Sequence, residues 1–98
     1  MGKKRGRLQI IFDILHAIRA KGGSIKPTHL LYKSNLSHQM MSEYLKELIS
    51  KQFISEKLGP KGKGKLYVLD AKGYDYLSEY QTITKFVESF GLEEDEIN

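Results

Sequence analysis

The stretch over residues 53–73 constrains this chain more than any other. Two apolar runs, Phe53-Ile54 and Leu66-Tyr67-Val68-Leu69, flank the loop Gly59-Pro60-Lys61-Gly62-Lys63-Gly64-Lys65. Apolar β-formers on either side of a Gly/Pro loop predict a β-hairpin. Glycine at 59, 62 and 64 makes the loop flexible and lets its backbone approach a partner closely. Lys61, Lys63 and Lys65 place a positive charge at every second residue. A tip of this composition suits phosphate, or it is a solvated turn; the flanking segments decide which. It is not a P-loop, because the Gly-Lys-Ser/Thr ending that runs into a helix is missing.

The chain is 98 residues long, enough for one small domain with a modest core and too short for two. With 40% apolar and 29% charged residues, global disorder is not expected. No run approaches the roughly 18 apolar residues of a membrane span, and no apolar segment follows the basic N-terminus as in a secretory signal. The expected location is cytoplasmic. Zero cysteine removes disulfide frameworks, thiolate nucleophiles and cysteine zinc sites. Charge is unevenly distributed: residues 1–73 hold 15 Lys/Arg against five acids, a net +10, and residues 74–98 hold Lys85 against seven acids, a net −6. A body at +10 is an electrostatic footprint for a phosphate backbone, and the acidic end is expected to stay off that surface or to contact protein.

Residues 1–7 carry Lys3, Lys4, Arg5 and Arg7 interrupted by glycines, which predicts a flexible basic arm that lies along phosphates or serves as a solubilising tail. Leu8, Ile11, Phe12, Leu15 and Ile18 then fall at helical spacing up to the stop Lys21-Gly22-Gly23. Ile10, Ile14 and Ala17 add a second apolar stripe, so this first helix has more apolar face than one neighbour can cover. Either the last helix or a second subunit covers the rest. Asp13 and His16 sit one turn apart, but without further ligands they read as a surface helix pair and not as a metal site.

Ser24-Ile25 suit a very short strand. Pro27 stands where a first helical turn tolerates proline, and residues 28–33 give a short second helix carrying Leu30 and Leu31 inward. Ser34-Asn35 turn the chain, and Ser37 is placed to N-cap a third helix from His38 to about Lys51, with Met41, Tyr44, Leu45, Leu48 and Ile49 as its buried face. A short helix, a tight turn and a capped longer helix form a helix-turn-helix signature. The outward face of the third helix then carries Ser37, His38, Gln39, Ser42, Glu43 and Lys46, side chains able to meet base edges in a major groove; otherwise it is a plain solvated face. Lys26 and Thr28, at the start of the second helix, are candidates for contact with the DNA backbone.

Residues 47–54 read Glu-Leu-Ile-Ser-Lys-Gln-Phe-Ile, and residues 66–73 read Leu-Tyr-Val-Leu-Asp-Ala-Lys-Gly. With the hairpin between them, these resemble the winged-helix family of DNA-binding domains. That family's common pattern ends the third helix in Lys-Gly-Leu-Ile and the second wing strand in Tyr-x-Leu-Thr-x-x-Gly; the likeness covers about residues 8–77. The whole chain, from Lys4-Arg5-Gly6-Arg7-Leu8-Gln9-Ile10-Ile11-Phe12-Asp13-Ile14-Leu15 through Lys26-Pro27-Thr28 to the last helix, is similar to a small archaeal winged-helix DNA-binding family whose members dimerise through an antiparallel coiled coil of that helix. Two positions depart from the pattern. Gln52 replaces glycine after the third helix, so it either occupies left-handed space at a cost of roughly 1 kcal/mol or the helix ends another way. Asp70 replaces threonine and is an equally good helix cap.

The last helix is expected to open at Asp70-Ala71-Lys72-Gly73 and to run to about Phe90, stopped by Gly91. Tyr76, Ile83 and Phe90 recur every seven residues, with Phe86 between them and Tyr80 and Val87 alongside. About 20 residues span about 30 Å, too long for the domain to cover every aromatic, and an exposed apolar stripe is what soluble monomers avoid. These six residues are therefore the expected dimer interface; the alternative is that the helix folds back across the first one and covers Ile10 and Ile14 in the same chain. Residues 93–96 form an expected frayed acidic end.

Together these readings predict an α+β, mostly helical fold: a flexible arm over 1–7, a winged helix-turn-helix over 8–73 and a dimerisation helix over 74–98. The expected function is binding of double-stranded DNA by a homodimer, as a transcriptional regulator or a chromatin-associated, nucleoid protein. The third helix would enter the major groove, and a wing of Lys61, Gly62, Lys63, Gly64 and Lys65 would lie on phosphates or in the minor groove. The alternative is a protein-interaction module on the same fold. No catalytic residue, cofactor, metal or membrane partner is expected.

Overall fold

The computed structural model describes residues 5–92. Within them the chain runs α1 (Arg7–Ala20), β1 (Ser24–Ile25), α2 (Pro27–Ser34), α3 (His38–Ser50), β2 (Ile54–Leu58), β3 (Lys65–Leu69) and α4 (Ala71–Ser89), with a 3-10 turn, Pro60–Gly62, between the last two strands. This is a winged helix-turn-helix followed by a long C-terminal helix. The strands form one antiparallel sheet in the order β1-β3-β2. Ile54 faces Leu69, Glu56 faces Tyr67 and Leu58 faces Lys65 across the hairpin. β2 runs further than its apolar start suggests. Beyond Ile54 the side chains of β2 lose burial, with Leu58 exposed, and backbone pairing with β3 carries the strand.

Each helix contributes one face to a single core. Ile10, Ile11, Ile14, Leu15 and Ile18 of α1 join Leu30 of α2, Met41, Leu45 and Leu48 of α3, and Ile54, Tyr67 and Leu69 of the sheet. The wide apolar face of α1 meets the first half of α4. There Tyr76 donates to the Leu8 carbonyl at 2.6 Å, Tyr80 donates to Gln9 Oε1 at 3.0 Å, and the Phe12 and Tyr80 rings stack at 4.8 Å. Ile10 and Ile14 are buried.

Local backbone chemistry explains where the elements join. Gln52 takes the left-handed conformation (φ 66°), and Phe53 N–H then bonds back to the Leu48 carbonyl at 2.9 Å, closing α3. Gly73 lies in the first turn of α4, where a Cβ would stand 2.5 Å from Leu69 Cδ1 and 2.6 Å from the Phe53 carbonyl. Glycine is needed there so that α4 can lie against the base of the wing. Asp70 occupies the N-cap position of α4, but its side chain does not cap the helix as expected; its carboxylate accepts from the Ser55 hydroxyl at 2.5 Å. The helix amides of Gly73 and Tyr74 bond to the Asp70 carbonyl instead.

The loop between β2 and β3, expected to be flexible, is a closed turn. Gly59 N–H bonds to the Gly64 carbonyl at 3.1 Å, Gly62 N–H to Gly59 at 3.0 Å and Lys63 N–H to Pro60 at 3.2 Å. Lys61 adopts a left-handed conformation to make this turn.

Candidate nucleic-acid interface

The helix-turn-helix is set by its caps. Asn35 ends α2 in the left-handed region, and the Ser37 hydroxyl accepts from Met40 N–H at 3.1 Å at the start of α3. From that cap the exposed residues of α3 separate into two rows. His38, Ser42 and Lys46 line a cleft of about 380 Å³ whose opposite wall is Glu56, Lys65 and Tyr67 of the wing and whose end is Pro27 and Thr28 of α2. Gln39 and Glu43 form the second row, where Gln39 Nε2 donates to Glu43 Oε2 at 3.5 Å. The candidate base-reading residues thus share one exposed surface, but only the first row faces the wing.

The wing tip and the start of α2 meet in a second cleft, of about 430 Å³, lined by Lys26, Thr28, Lys63, Gly64 and Lys65 among others. These positions, far apart in sequence, form one basic rim. Lys61 and Lys63 are exposed and have no ion-pair partner among the described residues, and Gly62 and Gly64 lie exposed beside them. Lys65 differs. Its ammonium donates to Glu56 Oε2 at 3.3 Å and lies 5.7 Å from the Tyr67 ring centre, and the bond to Glu56 holds it above the usual lysine range.

The expected arm does not hold over its described part. Lys3 and Lys4 lie outside the described residues, but Arg7 is the first residue of α1 and pairs with Glu47 of α3, which also accepts from Lys51 at 2.7 Å. Arg5 donates to Asp13 at 2.7 Å and to the Asn35 carbonyl at 3.1 Å. Both arginines therefore brace α1 against the helix-turn-helix. The Arg7 hydrogen bond, with help from Lys51, lowers the Glu47 carboxyl to about 2. Asp13 and His16 do not pair with each other: Asp13 takes Arg5 and Gln9, and His16 stacks on Phe12 and contacts Arg19. Among the described residues no three His, Asp or Glu side chains gather as a metal site.

The six residues expected at a dimer interface are divided by the fold. Tyr76 is half-buried, Tyr80 is 5% and Val87 2% exposed, so these three face inward within one chain; burial raises the Tyr76 phenol above its usual range. Ile83, Phe86 and Phe90 stay outside, with Phe86 58% and Phe90 68% exposed and their rings 4.9 Å apart. Leu92, just beyond the end of α4, is also about half exposed. The acids at 93–96 lie outside the described residues.

Glu56 and Tyr67, which line the cleft beside α3, are not among the candidate residues that the sequence offers. Their signal was the period of two along the hairpin, which puts Glu56 on the face of Ile54 and Tyr67 on that of Leu69. No helix of the described residues is long and apolar enough to cross a membrane.

Residues 4–88 match the family model described as winged helix-turn-helix. The Methanocaldococcus jannaschii protein MJ0287 is 40% identical over 76 residues, which cover 78% of this chain and 73% of that protein. Among solved structures, Sso10a-2, a DNA-binding protein from Sulfolobus solfataricus, superposes with a TM-score of 0.73 at 22% identity, covering 88% of this chain and 85% of its own. F93 from STIV, a winged-helix DNA-binding protein, superposes with a TM-score of 0.69 at 20% identity, covering 84% and 92%.

Proposed function

The chain belongs to the winged helix-turn-helix family, and on that premise we propose that it is a homodimeric, DNA-binding regulator of transcription or chromatin. The observation that carries this reading is the shared surface of α3 and the wing. A row of hydrogen-bonding side chains, His38, Ser42 and Lys46, stands across one cleft from a wing whose tip presents Lys61 and Lys63 without partners among the described residues. In this reading α3 enters a major groove, where its two rows meet base edges. The wing tip, with Lys26 and Thr28, holds phosphates or the neighbouring minor groove. Lys3 and Lys4 add phosphate contacts, while Arg5 and Arg7 act inside the domain. Two similar folds, Sso10a-2 and F93, are themselves described as DNA-binding, which supports the choice of partner.

The dimer proposal rests on the apolar patch at the outer end of α4. Ile83, Phe86, Phe90 and Leu92 meet their copies in a second chain, while Tyr76 and Tyr80 fix α4 on α1 so that the pairing sets the distance between two copies of α3. A cytoplasmic, nucleoid-associated location follows from such a partner. Titration of the intact chain with a random-sequence duplex at low salt tests the reading: binding that weakens steeply with salt is expected, and no binding would leave a protein-interaction module as the better reading. Selection from a random pool then separates the two roles, with an enriched motif for a regulator and none for packaging.

A further inference from the structure

The cleft between α3 and the wing contains an acid. Glu56 lies on the face of β2 that looks toward α3, opposite Tyr67 in register and across the cleft from His38, Ser42 and Lys46. Its carboxylate holds Lys65 at 3.3 Å. Lys46, Lys61 and Lys63 have no carboxylate partner among the described residues, so Lys65 is the cation of this surface that the fold itself neutralises. Stability is a poor reason for the pair, because both side chains are about half exposed and such pairs contribute little.

Groove geometry gives the acid a consequence. If α3 occupies a major groove and the wing tip the adjacent minor groove, the sugar-phosphate strand separating the two grooves passes over the cleft between them. A phosphate there competes with Glu56 for the Lys65 ammonium, and the carboxylate beside it faces like charge. We propose that Glu56 is a brake on phosphate binding within the DNA interface: it neutralises Lys65 in the free protein and opposes the strand that crosses the cleft. The brake lowers the sequence-independent part of the affinity, which leaves a larger share of discrimination to the side chains of α3. This inference rests on the DNA-binding reading above.

The test uses the intact chain, a random-sequence duplex and fluorescence anisotropy over a salt series. Glu56→Gln, nearly isosteric and checked for fold by circular dichroism, is expected to bind roughly three- to tenfold tighter, with a salt slope steeper by about one phosphate contact. Lys65→Ala is expected to remove most of the gain in the Glu56→Gln background, because Lys65 is the cation that the substitution frees. A folded Glu56→Gln protein that binds no tighter than the original overturns the brake alone. If the original chain and the variant both fail to bind duplex at low salt, the DNA-binding reading falls and the inference falls with it.

Discussion

Arg7, the first residue of α1, donates to the carboxylate of Glu47 on α3, a residue 40 positions away that Lys51 also holds. Arg5 makes a parallel connection from the segment before α1 to Asp13 and to the carbonyl of Asn35 in the helix-turn-helix turn. Two arginines from a stretch that reads as a free basic arm thus tie the start of α1 to α3 and to the turn before it.

The Glu47 pair makes stability depend on pH with a definite sign. The folded carboxyl is lowered to about 2, chiefly by Arg7 and then by Lys51. Its contribution is therefore fully present above the ordinary glutamate range and is lost as pH falls through about 2. Because Arg7 and Lys51 are both more than half exposed, that contribution is about 1 kcal/mol or less. Urea midpoints of the original chain and Glu47→Gln should differ at pH 7 and converge near pH 2; a gap constant across that range would show that the charge pair is not its source.

Gln52 holds a left-handed conformation that an L side chain resists and glycine adopts freely. Gln52→Gly is expected to stabilise the fold by about 1 kcal/mol, seen as a higher thermal midpoint. A lower midpoint would mean that the glutamine side chain contributes more than the backbone strain costs.

Gly73→Ala should act in the opposite direction. The added methyl would meet both the Leu69 side chain and the Phe53 carbonyl below 3 Å, and the carbonyl belongs to the backbone at the base of the wing. A loss of about 2 kcal/mol is expected from such overpacking. Denaturant titration measures it, and an unchanged midpoint would show that α4 can shift outward at little cost.

Pairing through the outer half of α4 predicts that Phe86→Glu or Phe90→Glu yields a folded monomer, whereas the original chain has twice that mass by light scattering. The charge would sit where Ile83, Phe86 and Phe90 now present apolar surface. An original chain that is already monomeric at high concentration would remove the dimer from the account.

Much of the fold could be read from the chain because its elements follow local rules. Apolar spacing marked α1 and α3, Pro27 and Ser37 marked two helix starts, and the Gly/Lys loop between apolar runs marked the wing. What could not be read depends on which particular groups meet in the fold. Nothing in the spacing of Arg7 and Glu47 announces their pair. The closed turn at the wing tip is made by backbone bonds from Gly59 to Gly64 that composition does not reveal. The seven-residue repeat of α4 shows which side chains share a stripe but not what covers each, so Tyr76, Tyr80 and Val87 were grouped with residues that the fold leaves outside. Asp70 had the right residue type and position for a cap, yet Ser55, brought alongside by the sheet, takes its carboxylate.

The central claim is that α3 and the wing together form a DNA-binding surface. The most direct measurement is the affinity of the intact chain for a random-sequence duplex as a function of salt, compared with a chain carrying Lys61→Ala and Lys63→Ala. The account predicts binding at low salt that weakens linearly in log-log form, with the double variant losing about two phosphate contacts from the slope. No binding at low salt, or the same slope in both proteins, would contradict it.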